Sequence, residues 1–194
     1  DFNGASHFVD SKLTIENTNA VNPIVNFLFN GSSYNAIENC LFSTLNSGRG
    51  ISEVGDVVYR WFQNKSGYYT YLCNTIESTL AFSMLYTVGA KIIGNQCNAG
   101  LHFNNAELIE IADNQIVALD ADAYAIDGYL MKGVDIRRNF LRSGRGVHLS
   151  SDTAFVLGDM VNNVIISTSQ ISDGITFRDV NGLNFLHNSI SSHG

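Results

Sequence analysis

The stretch VDIRRNFLRSGRGVHL, residues 134–149, decides how this chain is read. It opens on alternation, Val134-Asp135-Ile136, passes a polar step to Asn139 and resumes with Leu141. An apolar-x-apolar triplet puts two side chains on one face of a strand and one on the other. The same frame recurs at residues 69–76, 109–116 and 183–190, and with a small residue at one place at 34–41, 90–97 and 158–165. The register asparagines are Asn39, Asn74, Asn95, Asn114, Asn139, Asn163 and Asn188, spaced 35, 21, 19, 25, 24 and 25. Four places after each stands a small residue: Ser43, Ser78, Ala99, Ala118, Ser143, Ser167 and Ser192. Most copies continue into a second strand opened by glycine, as at 100–103, 146–149 and 174–177, with weaker versions at 79–82 and 123–126.

Three short strands per copy make one triangular coil. Stacked coils pair each strand with its equivalent in the next, so the sheets are parallel. A single coil cannot bury its apolar face alone, so several must stack. The asparagine falls at the tight turn between two strands, where its tolerance of the left-handed backbone region is useful. Stacked asparagines also hydrogen-bond along their column. The predicted fold is therefore an all-β parallel solenoid with an asparagine ladder. Leu41, Ile76, Cys97, Ile116, Leu141, Ile165 and Ile190 are expected to form one buried column.

The rest of the chain agrees. It has 194 residues, 45% of them apolar and 15% charged, enough for one domain with a real core. Its 22 asparagines and single proline, Pro23, suit turns between short strands, since proline cannot donate to a ladder. The net charge of −7 argues against a nucleic-acid protein, and no apolar run reaches the ~18 residues of a membrane span. Three cysteines, Cys40, Cys73 and Cys97, read as buried free thiols rather than a disulfide framework. Phosphate loops, dinucleotide fingerprints, CxxC pairs, HExxH and G-x-S-x-G are absent, and the five histidines have no metal-ligand spacing.

Residues 134–149 resemble the parallel β-helix repeat of the pectin-lyase-like superfamily, and Asp1-Phe2-Asn3-Gly4-Ala5 is similar to the first coil of such domains. The resemblance covers nearly the whole chain. It implies a right-handed, single-stranded parallel β-helix of about eight coils, with residues 1–194 as one domain. Departures lie on the N-terminal side: the register slips around Leu13 and Ile15, and the 35-residue interval holds an insertion with Tyr59 and Trp61. The absent initiator Met and the motif-internal ends suggest a piece of a longer chain.

In a solenoid, chemistry is read down columns, with adjacent coils ~4.8 Å apart. The outward residue before each register asparagine gives Asn35, Thr70, Lys91, Glu110, Asp135, Asp159 and Asn184. Glu110, Asp135 and Asp159 offer carboxylate pairs at spacings near ~5–5.5 Å or ~6.5–9.5 Å, as glycoside hydrolysis needs. The same trio could hold Ca²⁺ through oxygen ligands, or be a solvated acidic strip balanced by basic neighbours. The glycine-led strand gives a second column, Ala81, His102, Ala125, His148 and Thr176. One outward step on lie Asn104, Asp127, Ser150 and Arg178. Placement by the resembled family favours His102, Asp127, His148 and Asp152; the chemistry of the acids favours the trio. Arg137, Arg138, Arg142 and Arg145 form a basic cluster that suits a substrate carboxylate, or else balances the acids. Tyr59 and Trp61 could stack on sugar rings or fill a satellite core.

The expectation is a protein that binds and cleaves an extended, acidic or bacterial-surface polysaccharide, as hydrolase or lyase. The alternative is a non-catalytic fibre, adhesin or glycan-binding module. The resemblance reaches to phage tailspike-type depolymerases, and with them to a homotrimer and to an extracellular or virion-surface location.

Overall fold

The computed structural model describes residues 7–9, 12–16, 24–30, 36–38, 41–45, 48–54, 66–67, 70–72, 74–77, 80–118, 120–151, 158–170 and 174–193. Every regular element among them is a β-strand, and every strand pairing is parallel. Three sheets result, and the protein is an all-β parallel solenoid.

The first sheet holds the strands before each asparagine, including Lys91–Ile93, Glu107–Ala112, Lys132–Arg137, Gly158–Val161 and Leu183–Leu186. The second holds those after it, including Gln96–Cys97, Gln115–Ala118, Phe140–Ser143, Val164–Ser167 and Ser189–Ser192. The third holds the later strands of each coil: Ile24–Asn30, Gly48–Val54, Leu80–Leu85, Leu101–Asn104, Ile126–Tyr129, Val147–Ser150 and Ile175–Arg178. The coils described nearly continuously through all three sheets amount to about four turns, fewer than the eight the repeats imply. Strand pairing alone extends the sheets toward the N-terminus.

The apolar triplets fill the interior. Ile37, Tyr71, Ile92, Ile111, Ile136 and Met160 stack down the first sheet, all fully buried. Cys97, Ile116, Leu141 and Ile165 do the same in the second, and burial pushes the Cys97 thiol up to about 12. Two members of the expected column depart. Ile190 lies in the last described coil and is 48% exposed. At the other end the pairing sets Phe42, not Leu41, opposite Ile76. The first sheet also moves by one place there, with Ile37 opposite Tyr71, so Asn35 gives way to Ala36 opposite Thr70. Asn39 lies outside the described residues.

The asparagine ladder is continuous from Asn74 to Asn188. In each step the backbone N–H and the side-chain Nδ2 of one asparagine donate to Oδ1 of the next, at 2.8–3.0 Å. Nδ2 also donates to the carbonyl three residues before the preceding asparagine position, for example Asn139 to Ile111 and Asn163 to Ile136. Asn74 through Asn163 are buried, so each step satisfies groups that water does not reach. One expectation is corrected: the left-handed backbone belongs to the residue before each of Asn95, Asn114, Asn139, Asn163 and Asn188. Gly94, Asp113, Arg138, Asn162 and His187 have φ between 52° and 69°. The asparagine is chosen for its side chain, which bonds to the backbone of neighbouring coils. The small residue four places on is buried at Ala99, Ala118, Ser143 and Ser167, where Ser167 Oγ donates to the Gly144 carbonyl at 2.7 Å.

Candidate functional site

The acid column forms as its spacing predicts. Lys91 pairs with Glu110, Glu110 with Asp135, Asp135 with Asp159 and Asp159 with Asn184 across adjacent strands of the first sheet. Alternation turns these side chains outward, because Ile109, Ile111, Val134 and Ile136 fill the core. Three carboxylates at strand spacing repel, and Arg137 answers two of them: its Nη2 contacts Asp135 Oδ2 and lies 3.3 Å from Glu110 Oε1. Asn184 Nδ2 donates to Asp159 Oδ1 at 2.8 Å. The compensation is incomplete, since Asp135 Oδ1 and Arg137 Nε are buried without a hydrogen-bond partner. Desolvation, with Asp159 and Glu110 adding to it, pushes the Asp135 carboxyl above its ordinary range despite Arg137. Among the described residues no group of three or more His, Cys, Asp or Glu is placed to hold a metal ion.

The third sheet holds a different arrangement. Its register runs Ser83, His102, Asp127, His148 and Thr176 down one outward column. The sequence reading set Ala81 and Ala125 there and moved Asp127 one step outward. Residues 123–126 were expected to be the strand, but it begins at Ile126, because residues 120–125 form a loop closed by a turn from Ala123 N–H to the Asp120 carbonyl. Ile126 and Gly128 point inward and Asp127 and Tyr129 outward.

Asp127 therefore stands between two histidines. His102 Nδ1 is 3.1 Å from Asp127 Oδ2, and His148 Nδ1 is 2.8 Å from Asp127 Oδ1. All three side chains are a quarter to a third exposed. Burial opposes ionisation of Asp127, yet the hydrogen bonds from His102 and His148 outweigh it and hold the carboxyl below its ordinary range. An ionised carboxylate only accepts, so both Nδ1 atoms donate, which leaves each Nε2 directed away from Asp127. The two rings sit on strands about 10 Å apart.

The loop completes this face. The Tyr124 ring lies against His148 with centroids 5.4 Å apart, and the Arg145 guanidinium sits 5.7 Å from the Tyr124 centroid. Arg145 Nη2 also donates to Asp122 Oδ1 at 2.5 Å. Glycine makes room for the loop: a Cβ at Gly100 would collide with the Tyr124 carbonyl, and one at Gly144 with the Ala121 carbonyl.

The four arginines are not one cluster. Arg137 belongs to the first sheet and Arg138 to the turn, bound to Asp113 through Nε at 2.7 Å and Nη2 at 2.6 Å. Arg142 faces out from the second sheet and Arg145 precedes the third. Nine residues span three faces because the chain turns two corners of the coil between them. Lys91 is exposed at the head of the acid column. Asp152, Tyr59 and Trp61 lie outside the described residues. Sequence reasoning missed Tyr124 and Tyr129; aligning 126–129 with 147–150 would have found Tyr129.

No protein-family model matches this chain, and no curated protein does. A solved structure of the plasmid-mediated fluoroquinolone resistance protein QnrB1 is similar at 14% identity, over 94% of this chain and 90% of that one, with a TM-score of 0.22. At that score the likeness carries no argument about this chain.

Proposed function

We propose that this solenoid is of the pectin-lyase-like type and binds and cleaves an extended, acidic polysaccharide along its third sheet. The observation that carries the reading is the shared carboxylate: Asp127 orients both His102 and His148, with Arg145 and Tyr124 at the rim. An imidazole oriented by a carboxylate through Nδ1 presents Nε2 as a general base. Arg145 is the cation to neutralise a uronate carboxylate, which makes the proton at C5 removable. His148 Nε2 takes that proton, the C–H pair becomes the C4–C5 double bond, and the C4–O bond breaks as solvent protonates the leaving oxygen. Elimination suits this face better than hydrolysis, which needs two carboxyl groups. Among the described residues Asp127 is the one carboxylate at its centre, and both histidines already engage it.

The alternative, a non-catalytic fibre, adhesin or glycan-binding module, is favoured by the acid column, where Arg137 and Asn184 neutralise the trio from within. The test is ultraviolet absorbance of the unsaturated uronate end, with polygalacturonate, alginate and hyaluronate as substrates. Product from the native chain and its loss in His148→Ala support elimination. Binding without product supports the module, and neither binding nor product ends the glycan reading.

A further inference from the structure

We propose that Tyr129 is a stacking subsite for a pyranose ring, next to the Asp127 centre and separate from it. The inference rests on the glycan reading above and names where a second sugar unit sits. Tyr129 is two residues from Asp127 on the same strand, about 7 Å along the same outward face. It is 45% exposed. The other described tyrosines are engaged: Tyr71 against Phe82, Tyr124 against His148 and Arg145, and Tyr86 in an interaction of its own. Among the described residues Tyr129 has neither a ring contact nor a side-chain hydrogen bond.

Its cross-strand neighbours are Ser150 on one side and Asn104 on the other. Ser150 is opposite Tyr129 in the next coil, small and buried, with Oγ turned to the Gly128 carbonyl at 3.4 Å. On the other side stands Asn104, half-buried, whose amide offers both a donor and an acceptor. An apolar ring face beside an amide fits a pyranose, which presents C–H groups on one face and hydroxyls around its edge. Gly128 fixes this aim from beneath. A Cβ there would meet Met131 Cγ at 2.8 Å and Leu149 Cδ2 at 2.9 Å, so the strand keeps its inward step and Tyr129 its outward one.

The experiment is saturation-transfer NMR and titration calorimetry on the full chain, with oligogalacturonate and oligoalginate as probes. Tyr129→Phe and Tyr129→Ala are compared with the native protein. Retained binding in Tyr129→Phe, with affinity about tenfold weaker in Tyr129→Ala and an unchanged melting temperature, supports the subsite. Equal affinity in Tyr129→Ala and the native chain overturns it while leaving the glycan reading intact. No binding of either probe by the native chain overturns both.

Discussion

Two faces of this solenoid carry ionisable side chains in successive coils, and they solve the same electrostatic problem differently. On the first sheet Glu110, Asp135 and Asp159 are all acids, and relief comes from Arg137 and Asn184 beside them. On the third sheet the column alternates His102, Asp127, His148, so each neighbour is a partner rather than a rival. Strand spacing makes like charges costly, about 4 kcal/mol for an isolated pair at ~4 Å and an effective dielectric of 20. A column of one sign must therefore spend its outward groups on compensation. An alternating column satisfies itself through Nδ1 and leaves its Nε2 atoms for a ligand.

The sharpest way to break this comparison is activity. His148→Ala should lower uronate elimination by about 10²–10⁴-fold, the usual worth of a positioned base. Glu110→Gln and Asp159→Asn should leave the rate within about twofold. Initial rates of unsaturated product formation decide it; equal losses on both faces would return the acids to the site.

Both faces hang from one ladder, so a ladder substitution should disturb them together. Asn139→Ala removes donors to the Ile111 carbonyl and Asn163 Oδ1 and an acceptor for Asn114, all buried. The expected cost is about 3 kcal/mol, read from urea denaturation. A loss under about 1 kcal/mol would mean that water replaces the ladder.

How legible each face was follows from the same geometry. The ladder asparagine lies four residues after the outward acid of its coil, so a fixed offset located Glu110, Asp135 and Asp159 without knowledge of the loops. The third sheet has no such anchor. His102 follows Asn95 by 7 residues, Asp127 follows Asn114 by 13 and His148 follows Asn139 by 9. Loop length absorbs the difference, and register is fixed by which side chains fill the core, Ile126 and Gly128 here. Residues 123–126 alternate convincingly, yet Ala123 and Tyr124 belong to the loop. Their misplacement set Asp127 where Tyr129 stands. At the N-terminal end the one-place shift at Ile37 escaped notice because Tyr34 and Ala36 satisfy the same apolar-x-apolar frame.

Titration offers a milder contrast, because the two central carboxyls shift in opposite directions. Asp127 titrates below its ordinary range in the folded protein. Its ionised form stabilises the fold above that range, and the contribution fades as pH falls through the folded value. Asp135 titrates above its ordinary range. It penalises the fold above the folded value, and the penalty vanishes as pH falls below the unfolded one, about 4. At neutral pH Asp127→Asn should cost about 1 kcal/mol, and Asp135→Asn should gain a few tenths, both being solvent-screened. The Asp135→Asn difference should close as pH falls below about 4, and the Asp127→Asn difference only at lower pH, as it falls through the folded value of Asp127. A loss of stability in Asp135→Asn at neutral pH would show that Arg137 outweighs desolvation and like charge.

The smallest effect belongs to the turn between the first and second sheets. Arg138 and Asp113 occupy the same place in adjacent coils, both with left-handed backbone, at φ 52° and 57°. Their two-pronged ion pair joins the turns across the stack and holds the Asp113 carboxyl below its ordinary range. The pair is exposed, so water and salt screen it. Two substitutions separate charge from backbone. Arg138→Gln removes the pair and keeps the strain of a side chain at positive φ; Arg138→Gly removes both. Arg138→Gln should melt slightly lower than the native chain at low salt, and the difference should close in high salt. It should also close as pH falls through the folded value of Asp113, where the carboxylate is lost. Arg138→Gly should recover part of the loss, because glycine adopts the left-handed conformation without a Cβ penalty. Neither change should alter elimination on the third sheet. If Arg138→Gly melts well below Arg138→Gln, the side-chain stem packs over the ladder and the charge is secondary.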